Sequence, residues 1–263
     1  MNVIPKKSLG QNFLVDKNII DTIINIVDIK NEIILEVGPG TGNLTSALLT
    51  KKPKKVFLIE KDNSLATLLE KQFHNQVNII NHDILKFDEN SLCNERMIVF
   101  GNLPYNISTE ILCKWILNLN DNKIWFNHLI LMFQKEVADR IISDYNSSNY
   151  GRLSILANWK LDIKKIVDIN PSSFFPKPKI NSSLLFFSPK KNFLKFKNPH
   201  NLEKITRIFF RHRRKMIKKA YGQIFSDNTD VFTKLNIDLN LRPQNLDFET
   251  YYKLTEEYEN LGS

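Results

Sequence analysis

The residues best suited to chemistry in this chain are at positions 101–105, Gly-Asn-Leu-Pro-Tyr, directly after the apolar run 97–100. The Asn102 side-chain oxygen and the Pro104 backbone carbonyl can each accept a hydrogen bond from one N–H of an aromatic amine. The Tyr105 ring can stack on the heterocycle that carries this amine. Together these groups would aim an adenine amino nitrogen at an electrophile, which favours a base-modifying enzyme. Taken alone, the same residues would also fit an ordinary hydrogen-bonded loop.

A glycine turn lies upstream, after an apolar run (33–37) that is typical of a buried parallel strand. The turn reads Gly-Pro-Gly-Thr-Gly, and a helix is predicted from Asn43 onward. Strand, turn and helix in this order form a nucleotide-binding arrangement, since glycines let the backbone approach a ligand closely. Pro39 removes an N–H that a pyrophosphate would need, so a phosphate-free ligand near Gly38 and Gly40 fits better. A turn of this kind is weak evidence by itself.

Acidic residues follow two further predicted strands. Glu60 comes after the run 56–59, about 20 positions beyond the glycine turn, where a carboxylate can accept hydrogen bonds from both ribose hydroxyls. Asp83 comes after the run 77–80 and can accept a hydrogen bond from an adenine amine. Either residue could instead cap a helix or stabilise a turn. Because the carboxyl ends of parallel strands meet at one edge of a sheet, Glu60, Asp83 and Asn102 are predicted to share a site.

These motifs resemble those of Rossmann-like, S-adenosyl-L-methionine-dependent adenine-N6 methyltransferases. More narrowly, the chain is similar to the bacterial small-subunit (16S) ribosomal RNA adenine dimethyltransferase family, the kasugamycin-sensitivity methyltransferases. The resemblance covers nearly the whole chain, and the motifs as a set are highly specific. Besides Glu60 and Asp83, it is carried by KSLGQNFL (7–14), EVGPGTG (36–42), GNLPYNIS (101–108), FQKEV (133–137), GRLS (151–154), FFPKPK (174–179) and RRK (213–215).

The resemblance implies an α/β fold, namely a Rossmann-like class I methyltransferase domain with a mixed seven-stranded sheet, plus a small all-α C-terminal domain. We expect the catalytic domain with its N-terminal arm (residues 1–15) at 1–188, a linker at 189–200 and a helical RNA-recognition domain at 201–263. The sequence itself predicts a helix capped by Asp16, with an apolar stripe formed by Ile19, Ile20, Ile23, Ile24 and Val27. In the tail, apolar residues recur near helix spacing from Ile205 to Ile224. The cofactor-binding residues that the resemblance and the strand ends indicate are Asn12, Leu14, Gly38, Gly40, Glu60, Lys61, Asp83, Ile84 and Asn102.

The expected reaction is methyl transfer to adenine N6. The predicted catalytic residues are Asn102, Pro104 and Tyr105, with Phe174 as a second stacking platform by resemblance. On sequence alone Phe175 is an equally placed rival, and a core role is as plausible for either one. No general base is expected, because the methylated ammonium is acidic and loses its proton later. The target base must leave its stack to be reached.

A net charge of +9 and a pI near 9.4 favour a polyanionic partner. In the tail no acidic residue interrupts the stretch 207–219, whereas a merely solvated helix face would interleave acids with its bases. We therefore expect contact with 16S ribosomal RNA, within the small subunit or its precursor. The predicted RNA-binding residues are Lys6, Lys7, Arg207, Arg211, Arg213, Arg214, Lys215 and Lys218.

Other classes of protein are disfavoured. No apolar run approaches the ~20 residues of a membrane span, and no apolar segment follows the basic N-terminus, so a cytoplasmic protein without a membrane partner is expected. Two cysteines, Cys93 and Cys113, without a ligand pattern argue against a metal site. A monomer is the default expectation.

Two rival functions stay open. One is the large-subunit (23S) adenine methyltransferase family of the macrolide-resistance type, although Asn-Leu-Pro-Tyr at 102–105 favours the small-subunit family. The other is a non-catalytic assembly or transcription factor on the same fold. Binding and turnover of S-adenosylmethionine on RNA would separate this last class from an enzyme.

Overall fold

The computed structural model describes residues 5–6, 10–119, 124–226 and 229–262. The chain forms two compact units, Met1–Ala138 with Ile163–Pro189, and Asp139–Asp162 with Lys190–Ser263. Segment 139–162, which was predicted to belong to the first domain, groups with the C-terminal helices. Contacts of its helix explain this grouping, because Trp159 stacks on Phe196 and the Ile155 carbonyl accepts a hydrogen bond from the Tyr252 hydroxyl at 3.0 Å. The division predicted at residue 188 stays a prediction.

The first unit is built on a seven-stranded mixed sheet, as predicted. Its strand order is β4-β3-β2-β5-β6-β9-β7, with parallel pairing from β4 to β6 and an antiparallel β6–β9 pair. β2 and β5 are apolar and buried along their length, as strands covered on both faces must be. The strands are β2 (Ile33–Val37), β3 (Lys55–Glu60), β4 (Asn78–Asn81), β5 (Met97–Gly101), β6 (Phe126–Gln134), β7 (Leu161–Ile169) and β9 (Ser182–Pro189).

Helices connect these strands and cover the sheet. The first begins after Asp16, whose carboxylate accepts hydrogen bonds from the backbone N–H groups of Asn18 and Ile19, and it buries Ile20 and Ile23 against the core. This cap and apolar stripe were predicted from the sequence. The helices are α1 (Lys17–Ile24), α2 (Asn43–Thr50), α3 (Asn63–Phe73), α4 (Ser108–Asn118) and α5 (Lys135–Ile141).

A separate two-stranded ladder joins the N-terminal arm to a distant loop. Strand β1 (Phe13–Leu14) pairs antiparallel with β8 (Phe174–Phe175). Phe13 lies opposite Phe175, and Leu14 lies opposite Phe174. Arm residues Phe13 and Leu14 are therefore part of the sheet structure of the first unit.

The second unit is helical, as predicted. Its core includes Leu202, Ile205, Phe209, Tyr251 and Leu254, all fully or almost fully buried. The predicted run of helical spacing is interrupted, since 211–217 forms a turn between two helices. The helices are α6 (Arg152–Lys160), α7 (His200–Phe210), α8 (Lys218–Phe225), α9 (Thr229–Lys234) and α10 (Phe248–Leu261).

Membrane-spanning helices and clustered metal ligands are both absent from the described residues. No described helix combines the length and the apolar character that crossing a membrane requires. Across the same residues, no group of three or more His, Cys, Asp or Glu side chains is arranged to hold a metal ion.

Candidate active site

A pocket lies in the first unit at the carboxyl ends of β2, β3 and β5, where open α/β sheets bind ligands. Arm residues 10–14 and the segments 82–85 and 102–107 also line it. The pocket thus brings together residues as far apart in sequence as Asn12 and Tyr105. The predicted site residues that line it are Asn12, Leu14, Gly38, Gly40, Glu60, Lys61, Asp83, Ile84, Asn102, Pro104 and Tyr105.

The glycine turn adopts a backbone that only glycine tolerates well. Gly38 has φ = 69° and Gly40 has φ = 59°. A Cβ on Gly40 would also lie 2.7 Å from a ring carbon of Phe13, so a side chain there would push the arm away. The turn is therefore a close-packed cradle between the arm and the sheet, and a ligand can approach its backbone.

Glu60 braces this cradle from the end of β3. Its carboxylate accepts hydrogen bonds from the backbone N–H of Gly40 at 3.2 Å and from that of Asp62 at 2.9 Å. Burial raises the pKa of Glu60, and the two backbone donors oppose the shift. A carboxylate can accept further hydrogen bonds, so the predicted ribose contact is compatible with this geometry.

Glu36 is a buried pocket residue that the sequence argument did not single out. It lies on β2 beneath the glycine turn, and its carboxylate accepts a hydrogen bond from the Thr45 hydroxyl at 2.6 Å. Burial raises its pKa to about 7, and the neighbouring Glu60 adds to the shift. The signal available in the sequence was an acidic residue inside an apolar strand, because a glutamate is rarely fully buried unless a partner pairs with it.

Asp83 and Lys61 form an ion pair at the pocket, with 2.8 Å between the ammonium and Oδ2. The other carboxylate oxygen of Asp83 accepts a hydrogen bond from the backbone N–H of Leu85 at 3.1 Å and so caps a short 3₁₀ turn. The Lys61 contact lowers the pKa of Asp83. Asp83 is thus a charged acceptor fixed in orientation. Its turn role and its predicted ligand role are compatible.

The N-terminal arm is tied to α3. Asp62 is buried and caps this helix, and its carboxylate also accepts hydrogen bonds from Lys6 Nζ at 2.9 Å and from Gln11 Nε2 at 3.1 Å. Lys6, predicted to bind RNA, therefore has its charge paired within the fold. Lys7, the other predicted RNA contact in the arm, lies outside the described residues.

The Asn102 amide is oriented by the arm. Its Nδ2 donates a hydrogen bond to the backbone carbonyl of Asn12 at 2.7 Å, a contact that spans 90 positions of sequence. No described residue donates to Asn102 Oδ1. The amide oxygen is therefore left as an acceptor at the pocket, which is the orientation needed to receive an N–H of an aromatic amine.

Pro104 and Tyr105 of the Asn-Leu-Pro-Tyr motif also form hydrogen bonds within the protein. The Pro104 carbonyl accepts a hydrogen bond from the backbone N–H of Ile107 at 3.1 Å, which uses one of its two lone pairs. The Tyr105 hydroxyl forms a hydrogen bond with the hydroxyl of Ser182, the first residue of β9, and this bond holds the tyrosine ring in place. Burial raises the pKa of Tyr105, so the phenol stays neutral.

The two candidate aromatic platforms differ sharply in exposure. Phe174 is 3% exposed and belongs to the apolar core with Leu14 and Ile20, whereas Phe175 is 59% exposed. Neither residue lines the pocket. Stacking on Phe174 would require its ring to be uncovered first, so the role predicted for Phe174 stays a prediction.

The basic cluster of the helical unit lies mostly on its surface. Arg213 is the exception, since it donates to the Gln244 side chain at 3.2 Å and to the Ser147 carbonyl at 3.0 Å. It therefore braces two loops. Within the part of the chain that the structure describes, no ion pair is formed by the remaining exposed members, Arg207, Arg211, Arg214, Lys215 and Lys218.

Comparison with known proteins decides the family. The family model described as ribosomal RNA adenine dimethylase matches residues 4–260 of the chain. The chain belongs to the ribosomal RNA adenine dimethylase family. It is an S-adenosylmethionine-dependent methyltransferase, as the motifs predicted. A ribosomal RNA small subunit methyltransferase A from Pelagibacter ubique (strain HTCC1062) is 60% identical over 99% of both chains. One from Ehrlichia ruminantium (strain Gardel) is 41% identical over 94% of both.

Solved structures agree on the fold. A dimethyladenosine transferase from Plasmodium falciparum matches with a TM-score of 0.80 and 29% identity, over 95% of this chain and 98% of that one. The 23S rRNA methyltransferase ErmE matches with a TM-score of 0.68 and 20% identity, over 95% and 100%. At this identity, the second match supports the shared class I fold only.

Proposed function

We propose that this methyltransferase places methyl groups on the N6 amines of two adjacent adenines in the 3′-terminal hairpin loop of 16S ribosomal RNA, during small-subunit biogenesis. The family and the small-subunit relatives support the substrate. The observation that carries the chemistry is the Asn102 amide, because its nitrogen is committed to Asn12 and its oxygen is left to accept.

The pocket residues fit S-adenosylmethionine, which supplies an electrophilic methyl group on a sulfonium. The glycine cradle at Gly38 and Gly40 lets a ligand lie close to the backbone. The Glu60 carboxylate offers hydrogen-bond acceptors for the ribose hydroxyls. The Asp83 carboxylate offers an acceptor for the adenine amine. Asn12 and Leu14 cover the same pocket from the arm. Lys61 orients Asp83 through their ion pair, and Ile84 supplies apolar lining to the pocket.

The target amine is activated by its hydrogen bonds. An amine conjugated with its ring is a poor nucleophile, and acceptors on both N–H groups favour a pyramidal nitrogen whose lone pair points at the methyl group. Asn102 Oδ1 is one acceptor, and the free lone pair of the Pro104 carbonyl is the second. The Leu103 carbonyl has no described hydrogen bond and competes for this second role. Positioning of this kind contributes several kcal/mol.

The target base must be splayed out of the RNA to reach this site. Tyr105 supplies the first stacking face, and its bond to Ser182 holds the ring in place. Arg207, Arg211, Arg214, Lys215 and Lys218 would contact phosphates and set the affinity for RNA. We expect the enzyme to act as a cytoplasmic monomer.

The test is Asn102→Ala in a single-turnover assay with labelled cofactor and unmethylated small subunits. We expect S-adenosylmethionine to bind within a few-fold of wild type, while methyl transfer falls by about 10²- to 10³-fold, as for loss of another preorganised polar contact. Transfer near the wild-type rate would overturn the mechanism. Large subunits in a parallel incubation test the macrolide-resistance alternative, and the absence of turnover on both would favour a binding factor.

A further inference from the structure

An exposed apolar surface lies on the ladder between the arm and the β8 loop. Phe175 is 59% exposed, and Val15, which follows β1, is 46% exposed. Val15 continues the ladder, since its backbone N–H donates to the Ser173 carbonyl at 2.9 Å. Val15 and Phe175 thus lie on one ladder as exposed apolar neighbours, and an exposed apolar patch on a folded protein marks a candidate interaction site.

The ladder has two faces with different environments. Residues paired directly across a ladder share a face, and neighbours along a strand point to opposite faces. Leu14 and Phe174 form the face that packs into the core, and Leu14 also reaches the pocket. Phe13 and Phe175 share the other face, and Phe13 touches the glycine cradle and lines the pocket. The exposed ring of Phe175 thus lies directly opposite Phe13, a residue that lines the pocket, but Phe175 itself does not line the pocket.

The charge around this ring fits a nucleic acid. Lys177 and Lys179 are exposed on the loop that follows Phe175, and Lys17 is exposed just after Val15. None of these three lysines has an ion-pair partner among the residues described. An aromatic face flanked by unpaired cations is the combination that binds unpaired nucleotides, through base stacking and phosphate contact.

We propose that Phe175 is a stacking platform for the unpaired nucleobase next to the target adenine. The target itself enters the pocket, and its neighbour along the strand rests on the outer face of the ladder. This inference rests on the proposed function. It gives Phe175 a role in RNA specificity that is distinct from stacking on the reacting base, and it makes the arm part of the RNA surface as well as part of the pocket wall.

The test combines variants of Phe175 with changes in the RNA. Small subunits are reconstituted with 16S RNA whose 3′ segment carries an abasic nucleotide on one or the other side of the adenine pair. For intact RNA, Phe175→Ala is expected to raise KM about tenfold with unchanged cofactor affinity. Phe175→Tyr is expected to retain the wild-type KM, and Phe175→Leu to lose most of the stacking.

The double-mutant cycle is decisive. For the wild type, an abasic site on the stacked side should raise KM by a similar factor. For Phe175→Ala, whose KM is already raised, the same abasic site should cause little further increase in KM. Tyr145→Ala, which removes another exposed aromatic ring, should show no such coupling. Independent, multiplicative effects would overturn the proposal, and so would a Phe175→Leu variant equal to wild type, which would indicate an apolar protein partner. If the wild type fails to methylate intact RNA, the proposed function itself fails.

Discussion

Replacing Asp83 by asparagine should separate ligand binding from local structure. In Asp83→Asn an amide oxygen can still accept the backbone N–H of Leu85, so the 3₁₀ turn is kept. The lost ion pair involves a half-exposed Lys61 ammonium and contributes at most about 1 kcal/mol to stability. A hydrogen bond to a charged acceptor contributes about 1.5–3 kcal/mol, so the Kd for S-adenosylmethionine should rise roughly 10- to 150-fold.

A matched control lies five residues further along the chain. Asp88 caps the next 3₁₀ turn in the same way, accepting the backbone N–H of Asn90 at 3.1 Å, and it does not line the pocket. Asp88→Asn should leave the Kd unchanged. Equilibrium dialysis with labelled cofactor measures affinity, and thermal unfolding checks the fold. The reasoning is refuted if Asp83→Asn binds within twofold of wild type, or if both variants lose affinity equally.

Three further predictions concern Glu36, Phe174 and the basic cluster. Burial raises the pKa of Glu36 from about 4.5 to about 7, so the contribution of neutral Glu36 to stability is complete below about pH 4.5 and is lost as pH rises through about 7. In urea unfolding, Glu36→Gln should therefore be more stable than wild type at about pH 8 by up to about 3 kcal/mol. This advantage should shrink as the pH falls and vanish below about pH 4.5. Phe174→Ala should lower the free energy of unfolding by about 3–5 kcal/mol because the ring is buried. Phe174→Leu should stay folded, and its methyl-transfer rate should fall only if the Phe174 ring stacks on the target base. Changing Arg214 and Lys215 to Gln should lower the salt slope of RNA binding by about 0.7–0.9 for each lost phosphate contact, and an unchanged slope would assign them to a solvated face.

The strand ends of the fold were predictable because their signals are local. The apolar run at 33–37 is β2, and the glycine turn after it forms the cradle. Parallel strands bring their carboxyl ends to one edge, so the convergence of Glu60, Asp83 and Asn102 followed from the order of strands alone. The predicted helix cap at Asp16 is likewise set by neighbours within three residues.

Contacts across long stretches of sequence were not predictable. Asn12 and Asn102 are 90 positions apart, and nothing in their local sequence indicates that the arm orients the amide. The exposures of Phe174 and Phe175 depend on the register of a two-residue ladder, which a single shift would reverse. Arg213 looked like part of a uniform basic cluster, but loops from two other segments use its donors.

The most direct test of the central claim is a structure of the enzyme with S-adenosylhomocysteine and a target-loop RNA. We predict that the ligand lies along the glycine cradle, with its ribose at Glu60 and its adenine at Asp83. We also predict that the target N6 lies about 3 Å from Asn102 Oδ1, with Nδ2 still bonded to the Asn12 carbonyl. A ligand bound elsewhere, or an amide that turns its nitrogen toward the target, would contradict the claim.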